Sequence, residues 1–316
     1  MPESTRRDLT FSWNGLSLAG TLHLPSPKGR HPAVLMMQGS GPADRDGDGY
    51  FPPIRDTFLN RQIATFSFDK PGCGDSAGDW RDHALRARED QALAALEVMR
   101  DHPAIDSATV GIWGQSQGGW LVQMLAARLS DLSFAIVNSG PSLDVVEQNR
   151  YGCEHTMRAG GHSEDEIRRA LVFVDNLHEA ARQEADYATV EARLLSQARA
   201  EPWYGYLTAD DAKDWAGFCK FVVEGYEPLD ALARISCPFL AIFGGLDTLG
   251  PAWRSAQETG HALRRSGNAD STVVVFPAGD HRIGDATTAE FVASYLDLLG
   301  DWSARRARTE PSERST

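Results

Sequence analysis

The sequence predicts an α/β fold in which helices cover both faces of a mostly parallel sheet. Three observations carry this prediction: short runs that are apolar throughout, amphipathic segments between them, and an alternating pair of segments near the N-terminus. Runs that are apolar on both faces are typical of a parallel sheet buried under helices. Because 316 residues are long for one compact domain, we expect one large domain that carries an insertion.

The first strands are predicted from the alternating segment LTFSWNGLSLAGTLHLP, whose Asn14-Gly15 pair is typical of a tight hairpin turn. We therefore expect an antiparallel hairpin before the parallel strands. The predicted parallel strands are AVLMM ending at Met37, ATFSF (64–68), TVGIW (109–113), FAIV (134–137), FLAIF (239–243) and STVVVF (271–276). Residues 83–100 repeat apolar side chains at helical spacing, which predicts a helix between two of these strands.

The strand pattern stops between Pro141 and about Ile235, where the sequence becomes charged and helix-prone. An all-helical stretch inside an α/β chain predicts a cap over one edge of the sheet. The last residues are polar, which is typical of a disordered tail. The predicted organisation is a discontinuous core of residues 1–141 and 235–302, a helical cap of residues 142–234 and a disordered tail of residues 303–316.

Composition excludes several classes of partner. The net charge of −13 argues against nucleic acid and anionic membranes, since both require a basic surface. No run approaches the roughly 18 apolar residues of a membrane span. The four cysteines are scattered and the N-terminus lacks the apolar run of a signal peptide, so we expect a reducing compartment and a cytoplasmic protein.

A candidate nucleophile lies between a predicted strand and a predicted helix, in the sequence Gly114-Gln115-Ser116-Gln117-Gly118. A G-x-S-x-G pattern in that context is typical of a nucleophile elbow. Its sharp turn brings the residues two before and two after the serine close together, so Gly114 and Gly118 avoid a clash. The helix N-terminus favours negative charge beside the serine. The alternative is a glycine-rich turn with an idle serine.

A serine nucleophile needs a base, and the base needs an acid that fixes its tautomer. Asp247 follows the run FLAIF and His281 follows STVVVF, so both are predicted at carboxyl ends of strands, where ligands bind in open α/β sheets. The other histidines precede Ser116, lie in the helical cap or lie within a predicted helix. Asp280 is a rival acid, but its position beside His281 leaves it poorly placed to reach that ring. Asp247 could otherwise be a turn-forming aspartate.

Several segments together resemble the α/β-hydrolase fold superfamily over nearly the whole chain, and more narrowly bacterial serine esterases and peptidase-related hydrolases. The segments are 38–46, which is similar to H-G-S-G-P-x-D-R-D, together with FDKPGCGDS (68–76), PAIDSATVGIWGQSQGG (103–119) and EPLDALARISCPFLAIFGGLD (227–247). The resemblance implies the α/β-hydrolase fold, with a mostly parallel doubly wound sheet, an N-terminal antiparallel hairpin and a helical cap insertion.

The loop GSGPADRDGDGY (39–50) admits three interpretations. A phosphate loop would need a third glycine or a lysine that this sequence lacks, and a calcium loop would need a glutamate where Arg55 stands. The resemblance implies instead an oxyanion hole formed by the N–H groups of Ser40 and Gln117. Gly39 and Gly41 would allow close approach, and Gln38, in place of the family's histidine, would support the loop. We therefore predict no metal site and no cofactor.

The predicted function is a serine hydrolase that cleaves a carboxylic ester (EC 3.1.1) through an acyl-enzyme on Ser116. Thioesterase, lactonase, peptidase and C–C bond hydrolase chemistry on the same triad stays open, as does an acyl-transferring tailoring enzyme. A non-catalytic receptor is disfavoured because it needs no complete triad. The expected partner is a small molecule with an apolar or aromatic part, and a homodimer stays open. Aromatic side chains in the cap either line its pocket or form the cap's own core: Trp203, Tyr204, Tyr206, Trp215 and Phe218.

Overall fold

The computed structural model describes residues 5–204, 211–285, 287–288 and 290–307, which form an eight-stranded sheet. Its strands are β1 (Thr5–Trp13), β2 (Leu16–Leu24), β3 (His31–Met37), β4 (Ala64–Phe68), β5 (Ile105–Gln115), β6 (Phe134–Asn138), β7 (Phe239–Gly244) and β8 (Ser271–Phe276). Their order across the sheet is β1-β2-β4-β3-β5-β6-β7-β8. β2 runs antiparallel to β1 and to β4, and the pairs from β4 through β8 are parallel. The predicted α/β-hydrolase sheet is confirmed.

The N-terminal hairpin closes through a two-residue turn. Trp13 pairs with Leu16, and the two residues between them, Asn14 and Gly15, have φ values of 45° and 79°. Positive φ at both central positions is the geometry of a type I′ turn, which matches the twist of the flanking strands. The Asn-Gly pair supplies it at the lowest steric cost.

Helices join the strands and occupy the described chain between β6 and β7. Ser163 and Glu166 form a capping box at the start of the longest of them. Among the helices of the described residues, none combines the length and apolarity that a bilayer span requires. The helices are α1 (Phe51–Asn60), α2 (Leu85–Asp101), α3 (Gln117–Arg128), α4 (Val145–Ala159), α5 (Glu164–Arg182), α6 (Tyr187–Val190), α7 (Ser196–Ala198), α8 (Ala212–Glu224), α9 (Pro228–Leu232), α10 (Ala252–Arg265) and α11 (Tyr295–Arg306).

Both faces of the sheet are buried. Leu35 and Met37 of β3 pack on one face with residues of α2, α3 and α10. Val34 and Met36 point the other way and pack with residues of α1 and α11. Successive side chains of a strand alternate between faces, so a strand covered on both sides must be apolar at every position. This explains the continuous apolar runs of the sequence.

Helices α4–α8, here called the helical insertion, have a core of their own. Met157, Ala170 and Leu195 are fully buried within it. Helix α9 behaves differently, because it packs against α3 and α10 and its Leu232 joins the main core. By packing, α9 therefore belongs to the core, although the sequence analysis placed residues up to 234 in the cap.

The predicted tail begins too early. Helix α11 continues to Arg306, Ser303 is fully buried, and the Ser303 hydroxyl donates to the Leu299 carbonyl at 2.6 Å. The Arg306 guanidinium lies 3.8 Å from the centre of the Trp302 ring and pairs with Asp270. The segment SARR looks polar, but Ser303 faces the core while Arg306 reaches across the surface to Asp270. Residues 308–316 lie outside the described residues.

The end of α11 gives a stability prediction. A chain that ends at Trp302 loses the buried residues Ser303 and Ala307 and the ion pair of Arg306 with Asp270. We expect its free energy of unfolding to be about 1–3 kcal/mol lower than that of a chain ending at Ala307. Urea denaturation of the two chains measures the difference. Equal midpoints with equal m-values would contradict the packing of residues 303–307.

Candidate active site

Ser116 occupies the turn from β5 into α3 in a backbone conformation that residues other than glycine rarely adopt. Its φ is 56° and its ψ is −120°, and it is the N-cap residue of α3. The Ser116 N–H donates to the Asn138 carbonyl at 2.8 Å, which ties the turn to the end of β6. Strain of this kind concentrates at functional sites. The partial positive charge at the start of α3 favours negative charge beside the serine.

The turn is possible only because two glycines flank the serine. A Cβ atom on Gly114 would lie 2.1 Å from the carbonyl oxygen of Gly118. A Cβ on Gly118 would lie 2.4 Å from the carbonyl oxygen of Met37 and 2.8 Å from that of Gln38. These contacts are with backbone atoms, which cannot move aside as a flexible side chain can. Strand β5, helix α3 and the end of β3 are therefore packed backbone against backbone around Ser116.

Asp247 and His281 are brought together from the ends of β7 and β8. An Asp247 carboxylate oxygen, Oδ2, lies 2.7 Å from His281 Nδ1. The other oxygen accepts the N–H groups of Leu249 at 2.7 Å and Gly250 at 3.0 Å, and the Asp247 side chain is only 2% exposed. A carboxylate held in this way fixes the imidazole tautomer with the proton on Nδ1. His281 Nε2 makes no hydrogen bond within the described residues and can accept a proton.

Ser116 and His281 lie at the same edge of the sheet, since β5, β6, β7 and β8 are parallel and both residues follow strand carboxyl ends. In the described part of the chain the Ser116 hydroxyl makes no hydrogen bond. Hydrogen bonds between a nucleophile and its base often form fully only when substrate binds. The structure thus places Ser116 and His281 on one edge of the sheet without a hydrogen bond between them.

Asp280 has a different role from Asp247. Its Oδ1 accepts the N–H groups of Arg282 and Gly284, both at 2.8 Å, and so shapes the turn that follows His281. The buried Tyr50 hydroxyl supports the same turn by donating to the Arg282 carbonyl at 2.9 Å. Burial raises the Tyr50 pKa well above its usual value, so this hydroxyl stays protonated. Sequence analysis did not identify this contribution of Tyr50.

The loop after β3 passes directly beside the serine. A Cβ on Gly39 would lie 3.2 Å from the Ser116 Cβ and 2.7 Å from Gln115 Oε1, so a larger residue would push the loop away. Gly41 has a φ of 75°, which favours glycine. Neither the Ser40 N–H nor the Gln117 N–H donates to an acceptor among the described residues. Two backbone donors are thus available on either side of Ser116.

A buried lysine holds this loop from behind. Lys70 Nζ donates to the carbonyl oxygens of Gly39 and Gly41, both at 2.5 Å. The Gly39 carbonyl and the Ser40 N–H belong to one planar trans peptide and point in opposite directions. An ammonium group on the carbonyl therefore turns the Ser40 N–H away from Lys70. Burial lowers the Lys70 pKa well below its usual value.

Gln38 and Arg88 brace the start of the same loop. Gln38 Nε2 donates to the carbonyl oxygens of Asp44 at 2.9 Å and Phe68 at 2.5 Å, which connects the loop to β4. Arg88 Nη2 donates to the Gln38 carbonyl at 3.0 Å and approaches that of Gly39 at 3.4 Å. The backbone of residues 38–41 is therefore fixed by side chains from two other elements.

The acidic residues of the loop form local contacts. Asp44 Oδ1 accepts the N–H groups of Asp46 at 2.9 Å and Asp48 at 3.2 Å, and the Asp46 carboxylate pairs with Arg55 at 2.6 Å. Arg55, which stands where a calcium loop would need a glutamate, is thus the ion-pair partner of Asp46. A search of the described residues finds no group of three or more His, Cys, Asp or Glu arranged to hold a metal ion.

Arg45 connects the loops after β3 and β4. Its guanidinium pairs with the buried Asp69 and with Asp75 at 2.7 Å, and its own N–H donates to Asp69 Oδ1 at 2.6 Å. Burial raises the pKa of Asp69, but the hydrogen bonds from Arg45 and from the Asp75 N–H outweigh it, so the net shift is downward. The carboxylate therefore stays charged and anchors both loops.

A cavity of about 540 Å³ lies between these loops and helices α5 and α8 of the helical insertion. Ser40 and Gln117 line it, whereas Ser116 and His281 do not. The cavity thus reaches Gln117, which directly follows Ser116, and Ser40 of the loop after β3. Its aromatic lining consists of Trp80, Trp215, Phe218 and Phe221, together with His83 and His178.

The five predicted pocket aromatics separate into two groups. Trp215 and Phe218 line the cavity. Trp203 and Tyr204 do not, because they pack into the core of the insertion, where their rings lie 5.2 and 6.4 Å from that of Phe173. Tyr206 lies outside the described residues. Whether an aromatic side chain faces the cavity or the core of the insertion depends on tertiary packing. Composition alone therefore could not separate these residues.

The chain belongs to the BAAT / Acyl-CoA thioester hydrolase C terminal family, whose sequence profile matches residues 93–297. A second profile, that of FrsA-like esterases, matches residues 2–152. The chain is 31% identical to Esterase FrsA of Vibrio cholerae over 134 residues, which cover 42% of this chain and 30% of that protein. An uncharacterized 31.7 kDa protein of Escherichia coli is 21% identical over 74% of this chain and 79% of its own length.

Solved structures show the same fold. An esterase of Pyrococcus furiosus superposes with a TM-score of 0.65 and 15% identity, over 96% of this chain and 91% of that one. The 2,6-dihydroxy-pseudo-oxynicotine hydrolase superposes with a TM-score of 0.59 and 19% identity, over 97% and 69% of the two chains. Est1E of Butyrivibrio proteoclasticus with ferulic acid gives a TM-score of 0.58 and 16% identity, over 94% and 96%. These structures show the fold, and the family profiles and the Esterase FrsA similarity support an enzyme of the hydrolase type.

Proposed function

We propose that this member of the BAAT / Acyl-CoA thioester hydrolase C terminal family is a serine hydrolase that cleaves a carboxylic ester through an acyl-enzyme on Ser116. The observation that carries the proposal is the pairing of the buried Asp247 with His281 at the same sheet edge as the strained Ser116. Ser40 and Gln117 supply backbone N–H groups beside it. A structural turn has no need for this combination.

In the proposed first step, the Ser116 hydroxyl attacks the substrate carbonyl while His281 Nε2 takes its proton. Asp247 keeps the imidazole oriented and stabilises its positive charge. The Ser40 and Gln117 N–H groups bind the oxygen that becomes negative. Each such donor is typically worth about 2.7–4 kcal/mol of transition-state stabilisation.

In the second half of the reaction, His281 returns the proton to the leaving alcohol. Water then attacks the acyl-enzyme with His281 as the base, the Ser116–acyl bond breaks, and the free acid leaves. The rigid attachment of Gly39 to Lys70 matters in both halves, because the donors must be aimed before charge develops.

Thioester cleavage is the second candidate, and the match to the acyl-CoA thioester hydrolase profile favours it. The same residues would act, but a thiolate leaving group has a pKa near 8.5 and depends less on a proton from His281. Ester and thioester substrates of one acyl group therefore distinguish the two activities.

The first prediction concerns Ser116. We expect hydrolysis of p-nitrophenyl esters, from acetate to long acyl chains, to fall about 10⁴-fold or more in Ser116→Ala, as is typical when a triad serine is lost. Ser133→Ala, a matched change just before β6 at the opposite edge of the sheet, should retain turnover. Thioesters of the same acyl groups, assayed in parallel, identify the preferred bond. Undiminished turnover in Ser116→Ala would show that Ser116 is not the nucleophile.

A second prediction separates the two aspartates. Asp247→Asn should lower kcat by about 10⁴-fold, because an amide favours the wrong imidazole tautomer. Asp280→Asn keeps an acceptor for the N–H groups of Arg282 and Gly284 and should retain most of kcat. Steady-state kinetics on the best ester give both values. A larger loss of kcat in Asp280→Asn than in Asp247→Asn would contradict the assignment, because it would show that Asp280 orients His281.

A further inference from the structure

The cavity contains two buried basic side chains that form no ion pair with a carboxylate. Lys70 is 3% exposed and Arg88 is 8% exposed, and both line the cavity. Within the described residues neither forms a salt bridge with an acidic side chain. This is unusual in a chain whose net charge is −13, because buried charges are ordinarily paired.

The remaining cation of the lining is different. The Arg81 guanidinium pairs with Asp79 at 2.8 Å and with Asp214 at 3.1 Å. Its charge is therefore compensated within the protein. Burial lowers the Lys70 pKa well below its usual value, so the uncompensated positive charge of the cavity is that of Arg88.

Backbone carbonyl groups satisfy these two basic side chains only in part. Arg88 uses Nη2 for the loop carbonyls of Gln38 and Gly39, while its Nε and Nη1 donate to no acceptor among the described residues. Burial lowers the Arg88 pKa to about 10, so the guanidinium stays charged at neutral pH. Its remaining donors are available to an anion.

A neutral donor lies beside Arg88. Gln91 follows three residues later on α2, lines the cavity and is 2% exposed, and its Nε2 has no hydrogen-bond partner within the described chain. Residues three apart on a helix are neighbours. Rotation of the free Gln91 amide would let it donate to one oxygen of a carboxylate while Arg88 binds the other.

The wall contributed by α8 is largely aromatic, and its one acidic residue, Asp214, is paired with Arg81. Trp215, Phe218 and Phe221 line the cavity there, and Trp80 adds a fourth ring. We infer that the substrate has an apolar body that ends in a carboxylate, with the body against these rings and the carboxylate bound by Arg88 and Gln91. This inference rests on the proposed function, because the cavity reaches Ser40 and Gln117, which directly follows Ser116.

The test compares two esters that differ in one charge. p-Nitrophenyl hydrogen adipate carries a carboxylate at the end of a six-carbon acyl chain, and p-nitrophenyl hexanoate carries a methyl group there. Rates in Ser116→Ala are subtracted as the blank. We expect kcat/KM to be about tenfold or more higher for the adipate ester, the scale of one charge-assisted hydrogen bond.

Variants connect the preference to the cavity. Arg88→Gln should reduce the adipate-to-hexanoate ratio to about one, although loss of loop support will lower both rates. Gln91→Leu should reduce the ratio with no change of charge. Arg234→Gln removes one positive charge from an exposed site outside the cavity and should leave the ratio as in the wild type. If Arg88→Gln does not fold, the adipate-to-hexanoate ratios of the wild type and of Gln91→Leu still test whether the cavity binds a carboxylate.

A second pair of substrates asks which side of the ester carries the anion: the hexanoate esters of 4-hydroxybenzoate and of its methyl ester. A preference for the anion in either pair that Arg88→Gln or Gln91→Leu abolishes supports the inference and identifies the side. Equal, Ser116-dependent turnover of charged and neutral esters overturns the inference and leaves the serine hydrolase standing. Ser116-independent turnover of all four esters would remove the proposed function itself.

Discussion

The close approach of three backbone segments around Ser116 is the constraint on which the rest of the site depends. The carbonyl oxygen of Gly118 leaves no room for a Cβ atom on Gly114, and the carbonyl oxygen of Met37 leaves none for a Cβ atom on Gly118. The end of β3 therefore cannot move without displacing the turn that holds the serine. Because the loop after β3 begins at this contact, the sheet fixes the start of the loop relative to Ser116, and side chains from other elements then orient its N–H groups.

Lys70 and Arg88 couple the geometry of that loop to the charge of the cavity. By holding the Gly39 carbonyl they aim the Ser40 N–H, and Arg88, which is buried without a carboxylate partner, makes the adjoining cavity positive. A carboxylate partner inside the protein would stabilise the Arg88 guanidinium but would cancel its positive field. The desolvation cost of this charge is thus retained near the place where the proposed chemistry develops negative charge.

Much of this arrangement could be predicted from the sequence. The run STVVVF coincides with β8, and Asp247 Oδ2 lies 2.7 Å from Nδ1 of His281, the two residues that the sequence analysis singles out after β7 and β8. The prediction of a disordered tail from residue 303 was wrong for residues 303–307, because the composition of this segment does not reveal that Ser303 and Ala307 are buried. Lys70, Arg88 and Gln91 were missed, although Arg88 lies on the apolar stripe of α2 with Leu85 and Ala92, where a charge indicates a special role. The orientation of Trp203 depends on packing between helices and leaves no sequence pattern.

The most direct test of the central claim is whether Ser116 is an activated nucleophile, and it needs no knowledge of the substrate. The protein is incubated with a fluorophosphonate, and the adduct is located by intact mass and peptide mapping. We predict one adduct per chain, on the peptide that contains Ser116, and none in Ser116→Ala. A folded wild-type protein that stays unlabelled, or that is labelled at another serine, would contradict the account.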